Sequence, residues 1–220
     1  SQIAQFPSVS ILIPAKDEGE GLRKCLNSVL ATDYPNFRII GIDDRSCDQT
    51  GPILDEYAAR NPSRFSALHI TDLPDGWLGK CNALATAAKT GEGEWILFVD
   101  SDVKVEPDAL SAVLALAIGR EYDAVSIMTR LECHGFWEPL ILPLCAASVG
   151  AMTLMSLTNV DNRRRFAFAN GQFFLIRRSA YEAIGGHGAV RDNITEDVAL
   201  MRLLKSADYR TRLFFGRDFA

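Results

Sequence analysis

The run Trp95-Ile96-Leu97-Phe98-Val99 passes directly into Asp100-Ser101-Asp102, so five consecutive apolar residues end in two carboxylates spaced one apart. An apolar run of that length without alternation is a strand covered on both faces, as in a parallel sheet. Ligands of open α/β sheets sit outside the carboxyl ends of such strands, which puts Asp100 and Asp102 where a ligand belongs. Two oxygen donors at that edge suit Mg²⁺ or Mn²⁺, ions whose shell is usually completed by phosphate oxygens and water. Taken alone, Asp-Ser-Asp also reads as a turn or a helix N-cap.

The neighbouring sequence supplies the rest of such a sheet. Val9 to Ile13, Ile39 to Ile42, Phe65 to Ile70 and Ala124 to Met128 read as strands. Between them, apolar residues fall at helical spacing: Leu22, Leu26, Val29 and Leu30; Ile53, Leu54, Tyr57 and Ala58; Ala83, Leu84, Ala87 and Ala88; Leu110, Val113, Leu114, Ala117 and Ile118. Repeated β-α-β units predict an α/β fold with a mostly parallel central sheet flanked by helices. The chain of 220 residues, 48% hydrophobic, is long enough for one large core and shows no linker, so a single domain is expected. A net charge of −5 argues against a general nucleic-acid surface; an anionic ligand would need a metal or a local cation. The five cysteines are odd in number and form no Cys-x-x-Cys pair, which indicates neither a disulfide framework nor a zinc site and implies a reducing compartment.

Acidic and polar residues recur at the predicted strand ends. The first strand runs into Pro14-Ala15-Lys16-Asp17-Glu18 and the second into Asp43-Asp44-Arg45-Ser46-Cys47-Asp48. Carboxylates there accept hydrogen bonds from ribose hydroxyls or a base N–H, although Ser46 or Asp48 also reads as the N-cap of the second helix. Neither a Gly-x-Gly-x-x-Gly fingerprint nor a Gly-Lys-Ser/Thr follows a strand, which disfavours a Rossmann dehydrogenase or a P-loop enzyme. Further along, Asn170-Gly171-Gln172 leads into the apolar strand Phe173 to Ile176, with Gly171 permitting close backbone approach. Gly185-Gly186-His187-Gly188 reads as a flexible turn, His187 being a loop histidine without a catalytic role. Thr195-Glu196-Asp197 opens a helix, with Thr195 as its natural N-cap and the acids favoured by the dipole.

Asp43-Asp44-x-Ser46-x-Asp48, Asp100-x-Asp102 and Thr195-Glu196-Asp197 resemble, in order and approximate spacing, the family 2 inverting glycosyltransferases, whose catalytic domain has the GT-A fold. Pro74-Asp75-Gly76-Trp77-Leu78-Gly79-Lys80, and Ser126-Ile127-Met128 followed by Leu131-Glu132-Cys133, look like the hopanoid-associated and ceramide-glucosyltransferase-like branch. The resemblance implies a nucleoside-diphosphate sugar donor, a UDP-sugar being favoured, bound by residues 1–128, with residues 129–220 on the acceptor side. Pro14, Ala15 and Glu18 would meet base and ribose, Asp43 or Asp44 the base, Lys80 the donor diphosphate, and Asp100 the ribose or donor sugar. Asp102, with Asp100, would hold the Mg²⁺ or Mn²⁺. Gly171 and Gln172 would lie beside the donor sugar, Asp197 would be the general base, and Glu196 would orient the site or bind acceptor.

Read from the residues alone, Lys80 is otherwise a solvated lysine at the start of the third helix. Trp77 is either a stacking platform or a packing plug, and Gln172 either a sugar contact or a partner for a buried backbone group. The dipole is expected to keep Asp197 ionised with modest proton affinity. Pro139 to Val160 carries no charge and is followed by Arg163-Arg164-Arg165. It reads as a buried core helix, an interfacial helix or a span, and the resemblance favours the interfacial helix, a lipid acceptor and the cytoplasmic face of a membrane. The chain begins at Ser1, and no Gln-x-x-Arg-Trp motif follows Asp197, so either the sequence is a piece of a longer membrane-associated protein or that motif is not used. A sugar-phosphate nucleotidylyltransferase and an inactive nucleotide-sugar-binding scaffold are the rival readings.

Overall fold

In the computed structural model the chain forms one seven-stranded sheet with helices on both faces. The structure describes residues 6–129, 157–160 and 166–216, together with Gly135, Trp137, Ile141 and Leu144. Leu131-Glu132-Cys133, most of Pro139 to Val160 and the Arg163 to Arg165 run lie outside the described residues. Among the described residues no helix is long and apolar enough to cross a membrane.

The strands are β1 (Val9–Ala15), β2 (Phe37–Asp44), β3 (Phe65–Ile70), β4 (Trp95–Val99), β5 (Ala124–Met128), β6 (Phe173–Arg177) and β7 (Thr211–Phe215), in the spatial order β3-β2-β1-β4-β6-β5-β7. Helices α1 (Leu22–Leu30), α2 (Thr50–Arg60), α3 (Gly79–Thr90) and α4 (Ala109–Gly119) connect the first five strands; α5 (Arg178–Ala183) and α6 (Glu196–Ser206) follow β6. The pairs β1·β2, β2·β3, β1·β4 and β5·β7 are parallel, whereas β6 runs antiparallel to both β4 and β5.

The period of two along each strand divides the core. Trp95, Leu97 and Val99 of β4 join Ile11, Ile13, Leu26, Leu54 and Leu114 on one face, against α1, α2 and α4. Ile96 and Phe98 join Leu12, Ala83, Ala87, Phe174, Leu200 and Leu204 on the other, against α3 and α6. All five β4 residues are buried, which is why that strand reads as an unbroken apolar run. Neither Ser46 nor Asp48 is the N-cap of the second helix; that position is Gln49, and Asp48 Oδ1 accepts the Thr50 N–H at 2.9 Å from one residue further out. Ser46 Oγ instead accepts the Asp17 N–H at 3.1 Å and ties the loops after β1 and β2 together.

Chain direction places the site. From β1 the chain builds outward through β2 to β3, then returns to lay β4 on the opposite side of β1. This is a topological switch point, and a crevice opens outside the carboxyl ends of the two strands that flank it. Pairing between β1 and β4 stops at Leu12 and Phe98, so Pro14 and Ala15 lie beyond the last rung and Pro14 withholds no hydrogen bond from that ladder. The antiparallel strand β6 starts where β4 ends, Phe173 opposite Val99, and so carries residues 170–172 to the same edge.

The sheet leaves no space at Gly41 in β2. A Cβ there would stand 2.6 Å from both Leu54 Cδ2 and Phe65 Cζ. Gly41→Ala is expected to lower the unfolding free energy by about 1–3 kcal/mol through overpacking, as measured by urea denaturation.

Candidate active site

The crevice at the switch point is walled by Pro14, Ala15, Lys16 and Glu18 after β1, by Asp44 at the end of β2, and by Asp100, Ser101 and Asp102 after β4, with Lys80 at its inner end. Beneath it, a small recess takes in Lys80, Asp100, Gly171, His187, Glu196 and Asp197 over an apolar floor of Leu84, Phe98, Phe174 and Leu200. With the exception of Asp43 and Gln172, every residue to which the resemblance gives a donor, metal or catalytic role therefore lines one of two adjoining spaces.

Those two exceptions have local causes. Successive side chains on a strand point to opposite faces, so only one of the two β2 aspartates can enter the crevice, and it is Asp44. Asp43 faces away: Oδ1 accepts the Ser46 N–H at 3.0 Å, and Oδ2 lies 3.1 Å from His69 Nδ1. Burial would raise its pKa, but the hydrogen bonds from Ser46 and His69 outweigh that and hold it below the ordinary carboxylate value. Gln172 Oε1 accepts from Thr129 Oγ1 and from Asn170 Nδ2, and its backbone N–H donates to Asn170 Oδ1 at 3.2 Å. The side chain thus knits the entry of β6 to the end of β5.

Lys80, one residue into α3, is not a solvated lysine. Its Nζ stands 2.8 Å from Asp100 Oδ1 and 2.8 Å from Glu196 Oε1. Burial disfavours its charge, yet the two carboxylates more than compensate and the pKa is raised. One ammonium therefore links α3, the end of β4 and the start of α6.

Asp197 lies next to this cluster. Its Oδ2 accepts the Gly171 N–H at 2.7 Å and its Oδ1 the Val198 N–H at 2.7 Å. The Thr195 hydroxyl, expected as a cap, makes no capping hydrogen bond; among the described residues Asp197 itself takes the helix-end N–H. The expected modest proton affinity is corrected. Burial raises the Asp197 pKa and the adjacent Glu196 adds to it; the two backbone N–H groups and Lys80 oppose the rise without cancelling it. The result is a carboxylate with a fixed orientation and an elevated affinity for a proton.

His187 is also corrected, from a flexible-turn histidine to a buried one. It lies in the 3-10 turn Gly186–Val190, 2% exposed, edge-on to Phe98 with ring centroids 4.9 Å apart. The Tyr181 hydroxyl accepts the His187 backbone N–H at 3.0 Å and lies 2.8 Å from Nδ1. Burial, aided by Lys80, pushes its pKa down to about 3. Nothing in the Gly-Gly-His-Gly string announces this, because the partners are Phe98 and Tyr181 from other elements. Trp77 ends the turn Pro74 to Trp77, closed by a 3.2 Å backbone hydrogen bond around Gly76 at φ +75°, and packs toward Gly188. It is half-buried, with its ring edge facing Gly188 of the His187 turn.

The donor set for a cation is small. Among the described residues no three His, Cys, Asp or Glu side chains cluster tightly enough to hold a metal unaided. Asp102 is exposed and makes no hydrogen bond or ion pair among the described residues, while Asp100 shares its carboxylate with Lys80. Two carboxylates suit an ion that takes most of its shell from phosphate oxygens and water, as Mg²⁺ does, and not an all-protein cage.

A mostly parallel α/β sheet with an acid-lined crevice at its switch point, closed by an antiparallel strand and a carboxylate-tipped helix, is the GT-A architecture. A mannosyltransferase from Pyrobaculum calidifontis, solved in complex with GDP-Man and Mn²⁺, superposes with a TM-score of 0.73 at 20% identity, covering 96% of this chain and 55% of that one. The model described as Glycosyl transferase family 2 matches residues 10–185, and the chain belongs to that family of glycosyltransferases. Among its relatives, poly-beta-1,6-N-acetyl-D-glucosamine synthase of Staphylococcus epidermidis is 27% identical over 215 residues, 96% of this chain and 49% of the relative. Beta-monoglucosyldiacylglycerol synthase of Trichormus variabilis is 30% identical over 206 residues, 89% of this chain and 40% of the relative. The chain thus spans half or less of the length of these two relatives.

The neutral, buried His187 carries a pH signature. Its pKa falls from 6.5 to about 3 on folding, so the unfolded chain binds the extra proton between those values. The contribution is fully present above pH 6.5 and is lost as pH falls below it, at up to about 1.4 kcal/mol per unit. Urea denaturation of wild type and His187→Gln between pH 7 and pH 4 should show the variant losing less stability on acidification.

Proposed function

We propose that this chain is the catalytic domain of an inverting glycosyltransferase that moves a sugar from a nucleoside-diphosphate sugar to an acceptor hydroxyl in a single displacement. The observation that carries the reading is the convergence of Asp44, Asp100 and Lys80 from the first half of the chain with Gly171, Glu196 and Asp197 from the second. In this reading residues 1–128 bind the donor and residues 129–220 form the acceptor side.

The donor lies along the crevice, its base toward Asp44 and its ribose against Pro14, Ala15 and Glu18. Glu18 is held by the Ser101 hydroxyl, which donates to Oε1 at 2.8 Å. The diphosphate reaches Lys80, whose ammonium stabilises negative charge on the departing nucleoside diphosphate. Asp102, with Asp100, would hold a Mg²⁺ or Mn²⁺ that neutralises diphosphate charge and orients the leaving group. The Pyrobaculum mannosyltransferase complex with Mn²⁺ supports a divalent cation, and the motif resemblance favours a UDP-sugar.

Asp197 takes the proton of the acceptor hydroxyl as its oxygen attacks the anomeric carbon opposite the leaving group. Two backbone N–H groups fix the carboxylate for that transfer, and burial raises its basicity. Glu196, 7% exposed and paired with Lys80, orients the cluster. Gly171 brings its backbone close enough to carry the Asp197 bond, beside the donor sugar; Gln172 supports that approach from behind.

We also propose a lipid acceptor presented at the cytoplasmic face of a membrane. Ile194 is 87% exposed two residues before Glu196, and Leu78 is 37% exposed two residues before Lys80, so exposed apolar side chains stand close in sequence to two of the site residues. A relative named for diacylglycerol glycosylation supports the same reading.

Calorimetric titration with UDP, GDP and their sugar conjugates tests the donor site. Cation-dependent binding is expected in wild type and its loss in Asp102→Ala. Asp197→Asn should keep nucleotide binding while turnover drops about 10²–10⁴-fold; unchanged turnover overturns the role of Asp197, and a fold without turnover in wild type favours the scaffold. Because protonation removes the base and the Asp197 pKa is raised, kcat/KM should fall on acidification at a higher pH than an ordinary aspartate would give.

A further inference from the structure

We infer that Arg45 positions the base-recognising carboxylate and thereby selects nucleobases with an N–H donor at the central ring nitrogen of their pairing edge, uracil or guanine over cytosine or adenine. The inference rests on the proposed reading that Asp44 meets the donor base.

Adjacent residues of an extended strand point to opposite sides, so an arginine directly after Asp44 would normally be carried away from it. Here it is not. Arg45 takes a left-handed backbone, φ +59°, a conformation that non-glycine residues rarely adopt. That reversal folds its side chain back along its own neighbour. Nε lies 2.8 Å from Asp44 Oδ1 and Nη2 lies 3.1 Å from Oδ2, a two-pronged guanidinium grip on the carboxylate. The backbone departure at Arg45 is thus matched to a specific contact.

The carboxylate is confined from another side by the start of α3. A Cβ at Gly79 would overlap Asp44 Oδ2 and lie 2.7 Å from Arg45 Nη2, so the entry of α3 leaves room for the ion pair and for no side chain of its own. Asp44, only 5% exposed, lines the crevice, whereas Arg45 does not. The grip therefore comes from outside the crevice. Each carboxylate oxygen keeps a second lone pair for a ligand.

With both oxygens taking guanidinium N–H donors, the Asp44 carboxylate presents only acceptor positions to a ligand. Uracil N3 and guanine N1 carry a hydrogen and match it; cytosine N3 and adenine N1 carry a lone pair and meet it as acceptor against acceptor. A site built to hydrogen-bond one partner rejects the analogue that lacks the donor, because its own buried group is left unpaired. Arg45 fixes the direction of Asp44, so discrimination depends on a residue that need not touch the ligand.

The test is calorimetric titration of the whole chain with UDP, GDP, CDP and ADP in the presence of Mn²⁺, for wild type, Arg45→Gly and Arg45→Lys. Glycine adopts the left-handed conformation freely, so Arg45→Gly should fold, which thermal unfolding checks. Wild type is expected to bind UDP or GDP at least tenfold more tightly than CDP and ADP. Arg45→Gly should lose at least tenfold of that preference, and Arg45→Lys should fail to restore it, since an ammonium supplies the charge without the planar fork. An unchanged preference in folded Arg45→Gly, full rescue by lysine, or tighter binding of the favoured nucleotide in Arg45→Gly would each overturn the inference and leave the donor reading standing. Failure of wild type to bind any nucleotide would instead overturn the donor reading, and this inference with it.

Discussion

The Lys80 ammonium stands 2.8 Å from one carboxylate of the β4 edge and 2.8 Å from another at the start of α6. Asp100 and Glu196 are separated by 96 positions in the chain, and two like charges so close would repel if nothing stood between them. The cation makes their approach tolerable. It also brings α6, and with it Asp197, to the edge where β1 and β4 part. In the proposed reading the same charge serves the phosphates of a donor, so the group that ties the site together is the one a substrate would recruit.

Around that cation the site is arranged by burial and by backbone hydrogen bonds. Asp197 is held by N–H groups from two separate elements, Gly171 before β6 and Val198 in α6. A carboxylate fixed in this way keeps its direction while burial raises its affinity for a proton, a useful combination in a base. His187 is the complement: a neutral ring set edge-on to Phe98 and held by Tyr181, which fills the floor next to Lys80 without adding a second positive charge. Asp100 and Glu196 are therefore gathered around one ammonium, and neutrality is kept beneath them.

Sheet topology explains why these groups meet. Two strands laid to one side of β1 and the next, β4, to the other produce a crevice at the reversal, and pairing with β4 that ends at Leu12 and Phe98 leaves Pro14 and Ala15, still paired to β2, to form one wall. The antiparallel β6 delivers Gly171 to that edge from a part of the chain more than seventy positions after Asp100. Family 2 glycosyltransferases place their chemistry on this frame, and in this chain the frame is complete among the described residues from β1 to β7.

The apolar run of β4, the alternation of strands and helices up to Met128, and the acids at the strand ends were all legible in the sequence, because burial on both faces and helical spacing leave local patterns that do not depend on the rest of the fold. The choice between Asp43 and Asp44 was not legible: both are acids at a strand end, and only the pleat of β2 sends one into the crevice and the other toward His69. Nor could the sequence show that Lys80 is paired, that His187 is buried, or that burial overrides the helix dipole at Asp197, since each depends on atoms brought from distant elements. Local pattern thus determined the parallel sheet and the residues at its active edge. The protonation states, partners and orientations at that edge were decided by tertiary structure, because they are set by distances of about 3 Å between groups that the chain keeps far apart.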